Sequence, residues 1–338
     1  MPILVALLLL LLPPAATARV WLDAEDLRQL PDDGPAWEAM IKRATRTDIS
    51  PCLADQDDPS NVATLALALY ATRADDAEAR DRVREIVRRV PGTERGARTL
   101  ALGRELAAYV IAADLVGLPA EQRAAFERWL RSLLTRNFQG RTLRSTHEDR
   151  PNNWGTHAGA SRLAVAIYLE DREEIERSAH VFRGWLGDAD GWQGFEFGDT
   201  WWQPAGSRNY AINPPGSSIQ GHSVDGVLPD DQRRAGAFRW PPPKENYVYE
   251  ALQGALTQAL LLEAQGYDVW SWGDAALLRA FRWLQTEARY PARGDDTWMP
   301  HVINHAYGVS LPAPCPATPG KGLGFTDWIY GCAGRPPR

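Results

Sequence analysis

The residues whose types could carry chemistry cluster in a few places. In "RPNNWGTHAGASRLAVAIYLED", residues 150–171, two amides, an indole and an imidazole (Asn152, Asn153, Trp154 and His157) precede an apolar helical run. Amide and imidazole groups at a helix start, beside unsatisfied backbone N–H groups, suit an anion, and a carboxylate fits that geometry. The plainer reading makes Asn153 a helix cap and His157 a bystander in the first turn. In "FRWPPPKENYVYEALQGAL", residues 238–256, Tyr247 and Tyr249 stand just ahead of a second apolar run, after Arg239. A tyrosine, ordinarily with a pKa of about 10, can transfer protons near neutrality if a neighbouring guanidinium lowers that value. A tyrosine packed at a helix start is the commoner outcome. His222 in "QGHSVDG", and His301, Asn304 and His305 in "MPHVINHAYG", could line a cleft, although a lone histidine is more often structural. Hydrolysis would instead need two carboxylates flanking a bond. Asp199, Asp225, Asp230, Asp231 and Glu250 are available, with Asp230-Asp231 reading most simply as a turn. No C-x-x-C or H-E-x-x-H pattern supports a zinc site, so no metal or other cofactor is expected.

Helices must position these groups, because a helical period dominates the chain. Trp37, Met40, Ile41 and Ala44 form one stripe, and Val83, Ile86, Val87 and Val90 another. Leu102, Leu106, Tyr109, Val110 and Ala113 continue the pattern, as do Phe126, Trp129, Leu130 and Leu133. Ile175, Ala179, Phe182 and Leu186, then Leu252, Leu256, Ala259 and Leu260, then Leu277, Leu278, Phe281 and Leu284 complete it. No segment alternates convincingly as a strand. Residues 157–169 and 250–264 are apolar or small nearly all round, which suits helices buried on both sides. A layered ring or a superhelix of helix pairs would both produce that split. The long interruption, residues 187–249, is rich in Gly, Pro and aromatics, including Trp202, and has no helical period. Such loops are usually functional or disordered, and its aromatic content argues against disorder. From 205 to 245 it carries five cations (Arg208, Arg233, Arg234, Arg239, Lys244) against four anions (Asp225, Asp230, Asp231, Glu245), a balance of +1.

Composition narrows the partners. A formal net charge of −6 over 338 residues, without a basic block, argues against nucleic acid. Fourteen Trp and ten Tyr are a heavy load, of the kind sugar-binding proteins use as stacking platforms. The apolar run Ile3–Leu12, followed by Pro13-Pro14 and Ala16-Thr17-Ala18, reads as a signal peptide over 1–18. It is too short to span a bilayer, so export to the periplasm or medium is expected, with one domain over 19–338 and no integral membrane span. In an oxidising compartment Cys315 and Cys332 could close a C-terminal loop, leaving Cys52 single.

Together, "RPNNWGTHAGASRLAVAIYLED", "GHSVDGVLPDD", "RWPPPKENYVYEALQGAL" and "WMPHVINHAYG" resemble the alginate lyase domain family of the chondroitin AC/alginate lyase superfamily. The resemblance, from about residue 60 to 330, implies an all-α (α/α) toroid, an incomplete barrel of inner and outer helices with a cleft over the inner ones. It also implies metal-independent β-elimination of a uronic-acid polysaccharide, alginate-like or glucuronan-like. By that likeness Asn153 neutralises the uronate carboxylate, Tyr247 takes the C5 proton or protonates the departing O4, and Arg239 is the assisting arginine, with Arg234 in reserve. Well-known alginate lyases have a His directly after the two Asn. Trp154 stands there in this chain, and His157 is the nearest imidazole. Asn153, His157, Arg239 and Tyr247 are therefore the expected catalytic set. Asn152, Trp154, Trp202, His222, Arg234, Tyr249 and His305 are expected to bind the substrate. A glycoside hydrolase on the same ring, or a non-catalytic glycan-binding protein, are the alternatives.

Overall fold

In a computed structural model, which describes residues 19–332, the two ends of the chain are built from short helices and the middle from long ones. The helices are α1 (Ala24–Arg28), α2 (Pro35–Ala44), α3 (Ser60–Arg73), α4 (Ala77–Arg89), α5 (Thr99–Val116), α6 (Ala120–Thr135) and α7 (Leu143–Asp149). They continue with α8 (Asn153–Tyr168), α9 (Arg172–Trp185), α10 (Pro229–Gln232), α11 (Asn246–Ala264), α12 (Trp272–Thr286), α13 (Met299–Tyr307) and α14 (Thr326–Tyr330). Among the described residues the only sheet is a two-stranded hairpin pairing Ser218–Ile219 with His222–Ser223. The signal peptide expected at 1–18 lies outside the described residues.

The chain is all-α and layered. Helices α3, α5, α8 and α11 are buried along almost their whole length. Each packs on the next in the order α3, α5, α8, α11. Helices α5 and α8 run parallel. Ser161 Oγ accepts from the Ala107 backbone N–H and donates to the Gly103 carbonyl, while Gly103 lies against His157 and Ala158, so the two helices climb together. Helices α4, α6, α9 and α12 bury only one stripe each, the stripes read from the sequence. They can do so because the helices behind them supply the second apolar surface. Buried inner helices behind amphipathic outer ones are the layering that an (α/α) toroid requires.

Small residues set the spacing of the inner layer. A Cβ on Gly103 would come within 2.8 Å of the Ala158 nitrogen, and one on Gly254 within 2.5 Å of the His157 nitrogen. Helices α5 and α11 therefore press on α8 at the same level from either side, and both contacts centre on His157. The aromatic loop is ordered by side-chain bonds to its own backbone. Asn213 Nδ2 donates to the carbonyls of Trp202 and Val224, and Trp202 Nε1 donates to Gly236. Near the C-terminus Cys315 and Cys332 form a disulfide, and Cys52 is free.

Candidate active site at the N-terminal ends of the inner helices

The start of α8 separates the roles of its two asparagines. Asn152, not Asn153, is the cap: its Oδ1 accepts from the Trp154 N–H at 3.1 Å, and its Nδ2 donates to Asp230 at 2.8 Å. Asn153 is the first helical residue, and its backbone N–H donates to Asp231 Oδ1 at 3.2 Å. Its side-chain amide is fully buried, and neither polar atom has a protein partner. Asp231 Oδ2 is unpartnered too, and burial holds this carboxyl well above the ordinary range. Buried polar groups are nearly always paired, so an orphan amide beside an orphan carboxyl oxygen at a helix start calls for an explanation in function.

One turn further on, His157 sits between α5 and α11. Its Nε2 lies 3.9 Å from Glu250 Oε2 and makes no hydrogen bond. Burial, then the charges of Arg104 and Lys321, hold its pKa well below the usual imidazole value, so the ring is neutral at physiological pH. Arg104 and Glu250 pair at 2.5 Å. Arg104 also lies 3.6 Å from Asp57, which takes Lys321 Nζ at 2.8 Å. Gln253 ties this group to the C-terminal segment: it accepts from the Lys321 backbone N–H at 2.8 Å and donates to Asp296 at 2.9 Å. Burial pushes Asp296 up to about 7. Next to Arg104 in α5, Glu105 is buried with both carboxylate oxygens unpartnered, and burial raises its pKa well above normal.

Sequence reasoning did not single out Arg104, Glu105 or Lys321. A signal was present, since Arg104-Glu105 interrupts the otherwise apolar "TLALGRELAAYVIAADLV" of α5. Two charges inside a helix buried all round are not a solvated face: Arg104 meets Glu250 of α11, and Glu105 is left without a hydrogen-bond partner.

Tyr247 lies at the start of α11, 41% exposed, with its N–H held by the Glu245 cap at 3.1 Å. The guanidinium over its ring, 4.1 Å from the centroid, belongs to Arg234. Arg239 is exposed on the loop, and no hydrogen bond, ion pair or ring contact links it to the described residues. Asp231 connects the starts of α8 and α11. It bonds the Asn153 N–H, and the charges of Arg234 and Glu245 act on it. Asn152, Asn153, Asp230, Asp231, Arg234 and Tyr247 thus gather around these two helix starts, with His157 a turn beneath.

The remaining candidates stand apart. Tyr249 is buried and donates to the Tyr290 carbonyl at 2.6 Å. Trp202 is fully buried against Phe238 and Trp283, whereas its neighbour Trp201 is 46% exposed. His222 stacks on Trp240, and His305 stacks on Tyr330. His301 Nε2 lies 2.9 Å from the Pro314 carbonyl, and the Asn304 side chain braces Leu311. Among the carboxylates, Asp230 is paired with Arg233, Asp225 with Arg279, and Glu250 with Arg104.

Part of this site, carried by the segment from the loop before α3 through α8 and α9, falls where the chain matches a known family. Residues 57–193 match the alginate lyase family model. No curated protein matches the chain. The alginate lyase match contains Asn152, Asn153, Trp154, His157 and Arg104. Tyr247, Arg234 and Glu250 lie beyond it, brought to the same place by α11. Such a match supports a polysaccharide lyase. Among the described residues no cluster of His, Cys, Asp and Glu has the makings of a metal site, and no helix is long and apolar enough to cross a membrane.

Proposed function

We propose that this chain is an exported polysaccharide lyase that cleaves a uronic-acid-containing glycan by β-elimination. The observation that carries the reading is the buried, unpartnered Asn153 amide at the start of α8, inside the segment that matches alginate lyase. Elimination requires that the C5 proton leave a carbon next to a carboxyl group. A donor to that carboxylate spreads the charge of the enolate that forms, as oxyanion-hole donors do for acyl transfer. The Asn153 amide and the Arg234 guanidinium are donors of this kind and need no metal. A proton-transfer group must also reach C5 and the departing O4. Tyr247 is exposed beneath Arg234, which favours it as the group that meets the sugar. His157, neutral and with its Nε2 unpartnered below Asn153, is the second base within this cluster. The N-terminal apolar run and the Cys315–Cys332 disulfide support export to an oxidising compartment.

The test is a screen of the purified protein on alginate, glucuronan, hyaluronan and chondroitin, with and without chelator, following the ultraviolet absorbance of the unsaturated sugar that elimination leaves. Growth of that absorbance, insensitive to chelator, is expected on at least one uronate polymer. New reducing ends without absorbance would indicate hydrolysis and overturn the reading. Binding without any product would make the chain a glycan-binding module.

A further inference from the structure

Beside the candidate active site lies a pocket with no part in the proton transfer. Its volume is about 350 Å³, at the small end of ligand sites, and it is lined by Arg98, Thr99, Phe138, Gln139, Gly140, Arg141, Arg150 and Trp154. Three guanidiniums and no carboxylate reach its walls. Arg141 is committed to Asp149 at 2.9 Å and, more loosely, to Glu196 at 3.6 Å. Arg98 and Arg150 have no side-chain hydrogen bond or ion pair with any described residue. In a chain with a net charge of −6, two unpaired arginines in one pocket are conspicuous.

The walls are fixed before any ligand arrives. Phe138 and Arg141 bond each other's backbone across the two-residue turn Gln139-Gly140, both residues of which have positive φ. The Gln139 side chain pins that turn to the Gly96 carbonyl at 2.9 Å. Thr99 opens the 18-residue helix α5, so the positive end of that helix faces the same space. Trp154, the second residue of α8, forms one wall of the pocket, so the pocket borders the start of that helix.

We propose that this pocket holds the acidic group of a second sugar residue of the substrate, a carboxylate or a sulfate ester, clamped by Arg98 and Arg150 with the sugar ring against Trp154. Planar guanidiniums match both oxyanions through paired N–H donors, and the negative face of the indole suits the C–H face of a pyranose. The inference rests on the elimination reading for the position of the first sugar, at Asn153. It adds that acidic groups recur on neighbouring residues of the chain, as in a polyuronate, or in a uronate polymer with sulfated partner sugars.

The experiment compares wild type with Arg98→Ala/Arg150→Ala by calorimetry, using a mannuronate tetrasaccharide, a sulfated galactan tetrasaccharide and neutral cellotetraose, at low and moderate salt. An unchanged melting temperature in the double variant confirms that its fold is kept. At least one acidic probe is expected to bind wild type, with cellotetraose at least about tenfold weaker. The double variant is expected to lose about tenfold or more in affinity for that acidic probe, with a shallower salt dependence. Which acidic probe binds tells carboxylate from sulfate. Equal binding of cellotetraose, or wild-type affinity in the double variant, would overturn the proposal. Turnover separates the two readings. Absorbance growth with an unchanged KM in the double variant removes the pocket and leaves the lyase. Arginine-dependent binding without product removes the lyase and leaves the pocket.

Discussion

Replacing Arg104 with Met tests the network around His157. The Arg104 side chain is 6% exposed and that of Glu250 is 11% exposed, so their pair is a buried one. Met keeps most of the volume and all of the apolar stem but leaves Glu250 without its cation. Removing one partner of a buried pair costs about 3–5 kcal/mol, because the desolvation of the survivor is no longer offset. At about 2–4 °C per kcal/mol for chains of 150–250 residues, and less for a longer one, the melting temperature should fall by roughly 5–15 °C at neutral pH.

The pH dependence makes the test sharper. Burial already raises the Glu250 carboxyl above its ordinary value, and Arg104 is the largest influence opposing that rise. Without Arg104 the folded-state pKa climbs further, while the unfolded value stays near 4.5. Between the two the folded variant binds the extra proton, so its stability rises as pH falls through the higher folded value and levels off below the unfolded one. The deficit relative to wild type should therefore be largest near pH 8 and smaller near pH 5 by about 1–2 kcal/mol. Calorimetric melts of both proteins at the two pH values measure this. A deficit under about 1 kcal/mol at pH 8, or one of the same size at both, would show that the pair is not buried as described.

Other perturbations separate the residues of the site. Asn152→Ala removes the cap and the bond to Asp230 and should cost about 1–3 kcal/mol in a denaturant melt. Asn153→Ala removes only unpartnered atoms, so it should leave stability unchanged or slightly higher while elimination falls by about 10²–10³; a loss of stability as large as that of Asn152→Ala would contradict the orphan amide. Tyr247→Phe should lower the elimination rate by at least about 10² with an unchanged melt, and an intact rate would remove Tyr247 from the chemistry. Cys332→Ser opens a bridge between residues 17 apart and should lower stability by about 3 kcal/mol, which melts with and without reductant check in the wild type. His157, with its pKa depressed by burial, favours the fold while neutral, and that contribution is lost as pH falls from about 6.5 through the lower folded value. His157→Gln should flatten the acid side of the stability profile there, and an unaltered slope would count against a buried neutral ring.

The helices with one wet face were legible as stripes, and the wholly buried α5, α8 and α11 were legible as long apolar runs. Val83, Ile86 and Val87 of α4, or Leu277, Phe281 and Leu284 of α12, recur at helical spacing because the opposite face needs polar residues. Helix α3 escaped both readings. It is buried all round, and its Thr64 and Thr72 hydroxyls bond carbonyls one turn back within the helix, so polar and apolar residues alternate without marking a surface. Burial also blurs function. Trp201 and Trp202 are indistinguishable as letters, yet only Trp201 is open to solvent. Arg234 and Arg239 are both near Tyr247 in the chain, and the turn after α10 decides that Arg234 covers the ring.

The asparagine pair shows what a sequence can and cannot separate. Either residue could cap α8, and a cap needs only one side-chain oxygen on a first-turn N–H. Asn152 meets that need and also holds Asp230, which the stability of the helix start requires. A second amide adjacent to a satisfied cap adds nothing to the helix. Buried without a partner, it carries a desolvation cost that an apolar side chain there would avoid, which for alanine is offset in part by the space left behind. Capping therefore accounts for Asn152 and leaves Asn153 unexplained. Of the two readings of "NN", the structural one is used up by the first residue. The chemistry proposed for this end of the inner helices rests on the second.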